Sequence, residues 1–151
     1  MLKYLDKKLI VKLDRTLGKK ELLDYMISLA VENTDLITDK EVFAEKIFAR
    51  EELGTTGIGR GVAVPHARCE EVKDILFVVA LVPNAIEDYL TPDSENPKLV
   101  ILVGAPKSKN SEYLKLLSNI SKWFRQKEIR DNVILSKDTD DLIDELLSIG
   151  E

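Results

Sequence analysis

Residues 74–82, DILFVVALV, and 98–106, KLVILVGAP, are continuous apolar runs rich in valine. They constrain the fold more than any other feature of the chain. Neither run alternates apolar with polar residues, so a strand built from it has no face to turn to water. Their length and β-branching predict strands buried on both faces, which requires cover on both sides of a sheet.

The rest of the sequence supplies that cover. LIVKL at 9–13 reads as a short strand. Residues 18–33 place Leu22, Leu23, Met26, Leu29 and Ala30 at the spacing of one helix face. Residues 38–53 predict a second helix, with Thr38 and Glu41 in capping-box register and Gly54 as its stop. A polar connection with two prolines, 84–97, separates the two apolar runs. Residues 110–126 form a third helix whose apolar side holds Tyr113, Leu116, Leu117, Ile120, Trp123 and Phe124. EIRDNVILS, 128–136, predicts a short helix, and 138–150 a terminal one with acids in its first turn, where the helix dipole favours them. Helices and strands interleave throughout, so the fold class is α/β: a mixed β-sheet flanked by helices on both sides, one domain over 1–151.

Composition narrows the function classes. The 151 residues are enough to bury a proper core, with 44% hydrophobic and 32% charged residues. The formal net charge of −5 disfavours a nucleic-acid partner. Lysines crowd the first twenty residues but alternate with Leu, Ile and Asp, the pattern of a solvated face. Cys69 is the single cysteine, so no intrachain disulfide forms, which fits a reducing compartment. No apolar run has the length of a membrane span, and the N-terminal residues lack a signal-peptide core. The expected location is cytoplasmic, without membrane insertion. No internal repeat or low-complexity segment is evident.

The chemistry-bearing segment is GTTGIGRGVAVPHARC, 54–69, which holds the only histidine. It is not a dinucleotide fingerprint, since the third glycine comes one residue too early and a helix precedes it. It lacks the Gly-Lys-Ser/Thr of a Walker loop. One His and one Cys cannot close a metal site unaided, so no metal is expected. Cys69 reads as a buried, inert thiol, and a hydrolase built on Cys69 and His66 is remote.

The positive reading starts at Pro65, which forces Val64 into extended geometry and offers no N–H. The chain is stiff up to His66. Gly57, Gly59 and Gly61 allow close backbone approach and can aim N–H groups at an anion. Thr55 and Thr56 add hydroxyls; Arg50 and Arg68 are bidentate partners for phosphate oxygens. A neutral imidazole is a nucleophile near pH 7, and phosphoryl transfer needs mainly positioning and charge neutralisation. The residues alone leave two readings open: a phosphoryl-accepting histidine, or a turn histidine that satisfies a backbone carbonyl. Arg60 faces either a docking partner or water.

AREELGTTGIGRGVAVPHAR resembles the active-site segment of fructose/mannitol-type enzyme IIA domains of the bacterial phosphoenolpyruvate:sugar phosphotransferase system, in particular the fructose and nitrogen-regulatory branch. The match is dense over 50–66, and element order agrees along nearly the whole chain. The resemblance implies that His66 accepts phosphate from a phosphohistidine carrier, HPr or its nitrogen-branch counterpart. It then passes the group to a IIB domain or signals through its phosphorylation state to a regulatory target. Arg50 corresponds to the family's phosphate-stabilising arginine, the modified nitrogen is Nε2, and no cofactor is implied. The chain is expected to stand alone, without attached IIB or IIC domains.

Three positions depart from the family wording: Thr55 for a serine, Ala67 for the glycine after the histidine, and Tyr113 where a second histidine usually stands. A phenol donates one hydrogen bond but carries no positive charge. Tyr113 therefore either offers its hydroxyl to the site or simply packs. The alternative function is a degenerate IIA-like interaction module that no longer transfers phosphate.

Overall fold

The two valine-rich runs pair antiparallel at the centre of a six-stranded sheet. In the computed structural model, which describes residues 2–149, they are β5 (Leu76–Leu81) and β6 (Leu99–Ala105), with Leu76 opposite Gly104 and Leu81 opposite Leu99. Every residue of both strands is buried. The other strands are β1 (Ile10–Lys12), β2 (Gly57–Gly59), β3 (Val62–Ala63) and β4 (His66–Arg68). The sheet runs β1-β5-β6-β3-β2, and β4 also pairs with β6. β1 lies parallel to β5, β3 and β4 lie parallel to β6, and β2 turns back on β3, so the sheet is mixed.

Strand alternation divides the core between two faces. Leu76, Val78, Ala80, Val100 and Leu102 pack on one face with Leu23, Met26, Phe43 and Ile47. These last come from α1 (Lys19–Asn33) and α2 (Lys40–Leu53). Phe77, Val79, Ile101 and Val103 face the other way, against α3 (Asn110–Arg125), α4 (Lys127–Ile134) and α5 (Thr139–Leu147). Leu116, Ile120, Phe124, Val133 and Leu142 are the helical side of that layer. Each fully buried Val, Leu or Phe contributes about 1.5–3 kcal/mol, which is why runs with no polar alternation settle between two helical layers.

β3 and β4 are two halves of one line along β6. Val62 and Ala63 pair with Leu99 and Val100; His66, Ala67 and Arg68 pair with Val103, Gly104 and Ala105. Pro65 explains the gap. It has no N–H, yet its carbonyl still accepts from Val103 N–H at 3.0 Å, while Val64 N–H turns away to the Thr56 carbonyl. The ladder skips a bond without the strand ending.

One helix cap differs from expectation. Asp39, not Thr38, caps α2, its Oδ1 accepting from Val42 N–H at 3.1 Å. The bridge between Ile37 and Val72 draws Thr38 onto the Glu71 carbonyl, which takes both its N–H and its hydroxyl. Gly18 heads α1 with no side chain, and Asp88 from the connection supplies the missing acceptor for Lys19 N–H at 2.9 Å. Asp138 caps α5 through Asp141 N–H, as its acidic first turn implies. Gly150, the last residue of the predicted terminal helix, lies outside the described residues. Among the described residues, no helix is long and apolar enough to cross a membrane.

Candidate functional site

His66 opens β4, and its ring is fixed by the backbone two residues earlier. Nδ1 lies 2.7 Å from the Val64 carbonyl. A carbonyl can only accept, so Nδ1 carries the proton and Nε2 the lone pair. Partial burial is the main cause holding the imidazole pKa below its ordinary value. The Val64 bond opposes that shift, the Arg50 charge adds to it, and Glu51 opposes it. The ring is uncharged near neutral pH.

Two cavities meet at this histidine, and Arg50 lines both. The smaller, about 160 Å³, also touches Thr55, Thr56, Gly57, Ile58, Leu117 and Ser121. The larger, about 470 Å³, reaches Lys46, Leu53, Ala67, Arg68, Tyr113 and Leu114. Arg50 sits in the last turn of α2 and donates from Nη1 to the Gly54 carbonyl at 2.8 Å, which anchors one side of its guanidinium. Arg68 is exposed and donates to the Asn110 side chain at the start of α3. Tyr113, three residues on, is 6% exposed, with its ring centroid 6.1 Å from that of His66 and the planes 56° apart. Burial pushes its hydroxyl up to about 12, so the phenol stays protonated.

The threonines and glycines take other parts. Thr55 donates its hydroxyl proton to the Leu90 carbonyl at 2.6 Å, and Thr56 donates to Glu51 Oε2 at 2.6 Å. Both line the smaller cavity, but the protein already takes both hydroxyl protons. Gly57 stands where a Cβ would collide with the Thr91 methyl group and lie 3.2 Å from the Leu90 carbonyl. Gly59 and Gly61 line neither His66 cavity. They flank Arg60 in the β2–β3 turn, where all three residues have positive φ, at 93°, 57° and 84°. This tight turn is the physical reason for the alternating glycines.

The sequence reading passed over Glu51 and its partners. The Glu51 side chain is 5% exposed, with Lys19 Nζ 2.9 Å from Oε1 and the Thr56 hydroxyl on Oε2. Tyr89 O–H lies 2.5 Å from the same Thr56 oxygen, and Lys19 stands 4.4 Å above the Tyr89 ring. Three segments distant in sequence, at Lys19, 51–56 and Tyr89, converge here, and no local pattern announces that. Ser121 was also missed, although Tyr113, Leu117 and Ser121 follow one another at helical i, i+4 spacing. Cys69 is buried, and burial raises its thiol pKa. Among the described residues, no three His, Cys, Asp or Glu side chains gather to hold a metal ion.

An α/β fold that holds one neutral, backbone-anchored imidazole beside an arginine, at the mouth of a cationic cleft, describes a broad class of proteins. Comparison narrows it. The family model described as phosphoenolpyruvate-dependent sugar phosphotransferase system, EIIA 2, matches residues 3–149, and the chain belongs to that family of phosphoryl carriers. It is 32% identical over 121 residues to a nitrogen regulatory protein of Bradyrhizobium diazoefficiens, covering 80% of this chain and 77% of that one. It is 28% identical over 126 residues to the fructose-specific EIIABC component of Bacillus subtilis. That match covers 83% of this chain but only 20% of the longer relative. Among solved structures, the nitrogen regulatory protein IIA-Ntr from Neisseria meningitidis superposes with a TM-score of 0.80 at 26% identity, over 93% of both chains.

Proposed function

We propose that His66 is the phosphoryl acceptor of this family member. The lone pair on Nε2 attacks the phosphorus of a phosphohistidine on a carrier protein resembling HPr. The donor's P–N bond breaks, its ring nitrogen keeps the electron pair, and a new Nε2–P bond forms on His66. The observation that carries this reading is the bond from Nδ1 to the Val64 carbonyl, which leaves the nucleophilic nitrogen defined and the ring neutral. Arg50 neutralises charge on the equatorial oxygens, and Arg68, which also lines the larger cavity, adds to it. The Tyr113 hydroxyl donates a single hydrogen bond toward the phosphoryl group.

The rim suits a protein partner. Leu53 and Leu114 are 85% and 54% exposed beside Lys46 and Arg68, an apolar patch bordered by cations. A carrier with an apolar patch and acidic neighbours would match it. The phosphoryl group then leaves for a IIB domain, or the phosphorylated protein acts on a regulatory target, in the cytoplasm where such carriers work.

The test is intact mass after incubation with phosphoenolpyruvate, enzyme I and HPr. An acid-labile gain of one phosphoryl mass, lost in His66→Ala, supports the reading. No gain with either HPr or its nitrogen-branch counterpart would instead support an interaction module without phosphotransfer.

A further inference from the structure

A cavity of about 510 Å³ shares no lining residue with either His66 cavity. The β2–β3 turn, the end of the connection before β6, and α4 enclose it. Its charged lining is Arg60, Lys98, Lys127 and Arg130 against Glu95 and Asp131. Lys127 and Asp131 satisfy one another at 2.5 Å. Among the described residues, no carboxylate lies within ion-pair distance of Arg60, Lys98 or Arg130.

Arg130 is the unusual member. It is 5% exposed, and Nη1 donates to the Phe124 and Arg125 carbonyls at 3.1 and 3.2 Å, at the C-terminal end of α3. Those carbonyls offset part of its charge. Asp131, which also lines the cavity, feels the Arg130 charge but makes no ion pair with it, so the guanidinium lies beside the cavity without a direct carboxylate partner. The wall opposite α4 is built from two tight turns. Arg60 and Ser94 are the non-glycine residues with positive φ among those described, at 57° and 67°, and both line this cavity. Asp93 holds the pair of turns, accepting from Arg60 N–H at 2.7 Å and Glu95 N–H at 3.0 Å. The β2–β3 turn itself requires positive φ at Arg60, and the two turns fix the backbone of this wall.

We propose that this cavity binds a small phosphorylated metabolite, its phosphate held by Arg60, Lys98 and Arg130. The volume falls within the roughly 300–1,000 Å³ of small-molecule sites, far more than a bare phosphate ion fills. Ser94 and Glu95 on the same wall suit hydroxyl groups on the remainder of the ligand. The site is independent of phosphoryl transfer at His66.

The experiment is a backbone amide NMR titration of the whole chain with ribose 5-phosphate as probe, beside inorganic phosphate and sodium chloride at matched ionic strength. The expected result is saturable shifts at Gly61, Lys98 and Arg130 that persist in His66→Ala. Affinity should fall at least about tenfold in Lys98→Ala and in Arg60→Ala. Both side chains are exposed, so those variants fold even if an Arg130→Gln variant does not. Phosphoryl uptake at His66 should be unchanged in Lys98→Ala. Absence of saturable shifts, equal shifts with sodium chloride, or equal affinity in the two variants would overturn the site. Equal affinity for inorganic phosphate would overturn its assignment to a metabolite.

Discussion

His66 and Val64 hold each other across Pro65, imidazole Nδ1 to backbone carbonyl, at 2.7 Å. The proline makes this contact possible, because it keeps Val64 extended and has no N–H to give to the ladder. The bond selects one tautomer, and partial burial keeps the ring from charging.

That arrangement makes stability depend on acid in a stated direction. The folded-state pKa of His66 lies below its unfolded value of 6.5. Between the two, the unfolded chain binds more protons than the folded one, so stability falls as pH drops through 6.5 toward the folded pKa. Urea unfolding at pH 7.5 and 5.5 should show a smaller loss in His66→Gln than in the parent. Identical losses would mean the ring titrates as it does in the unfolded chain.

Arg50→Ala should slow phosphoryl uptake by about a hundredfold, the usual scale for removing one charged donor to a developing anion. The fold should survive, since Arg50 packs at a helix end with a single bond to Gly54. Arg50→Lys should recover only part of the rate, because an ammonium cannot hold that carbonyl and two phosphate oxygens in one plane. Single-turnover kinetics with a phosphorylated carrier would measure both.

Tyr113 is protonated throughout the neutral range, with burial holding its pKa at about 12. Phosphoryl-transfer rates between pH 6 and 9 should therefore show no step from this residue. Tyr113→Phe should lower the rate by about tenfold if the hydroxyl bonds the phosphoryl group. Tyr113→His should change the rate or the lifetime of the phosphorylated form. Equal behaviour of all three would leave Tyr113 a packing residue only.

Glu51→Ala should destabilise the protein by about 3 kcal/mol, because it strands Lys19 and the Thr56–Tyr89 pair in a poorly solvated place. Lys19→Met in the same background should regain part of that loss. The readout is the urea midpoint, with phosphoryl uptake followed in parallel, since Thr56 lines the His66 cavity.

The sheet and its two helical layers were legible because β5 and β6 state their burial in every residue. The motif was legible because Pro65 and His66 act through neighbours in sequence. What could not be read is tertiary by nature. Thr38 lost its cap to a strand-like bridge at Ile37. Thr55 and Thr56 found partners in Leu90, Tyr89 and Glu51, which only the fold brings near. The spacing of Gly59 and Gly61 was visible, but it serves a turn, and a turn and an anion cradle demand the same residue type.

β4 lies along β6, which is paired on both edges and buried throughout. A backbone clamped in this way has little room to reshape when one of its side chains is modified. A phosphoryl group on His66 would instead add nearly two negative charges to a surface where a neutral ring had been. Whatever reads this protein would then sense most of the positive field at that surface withdrawn, a signal carried by voltage and not by movement.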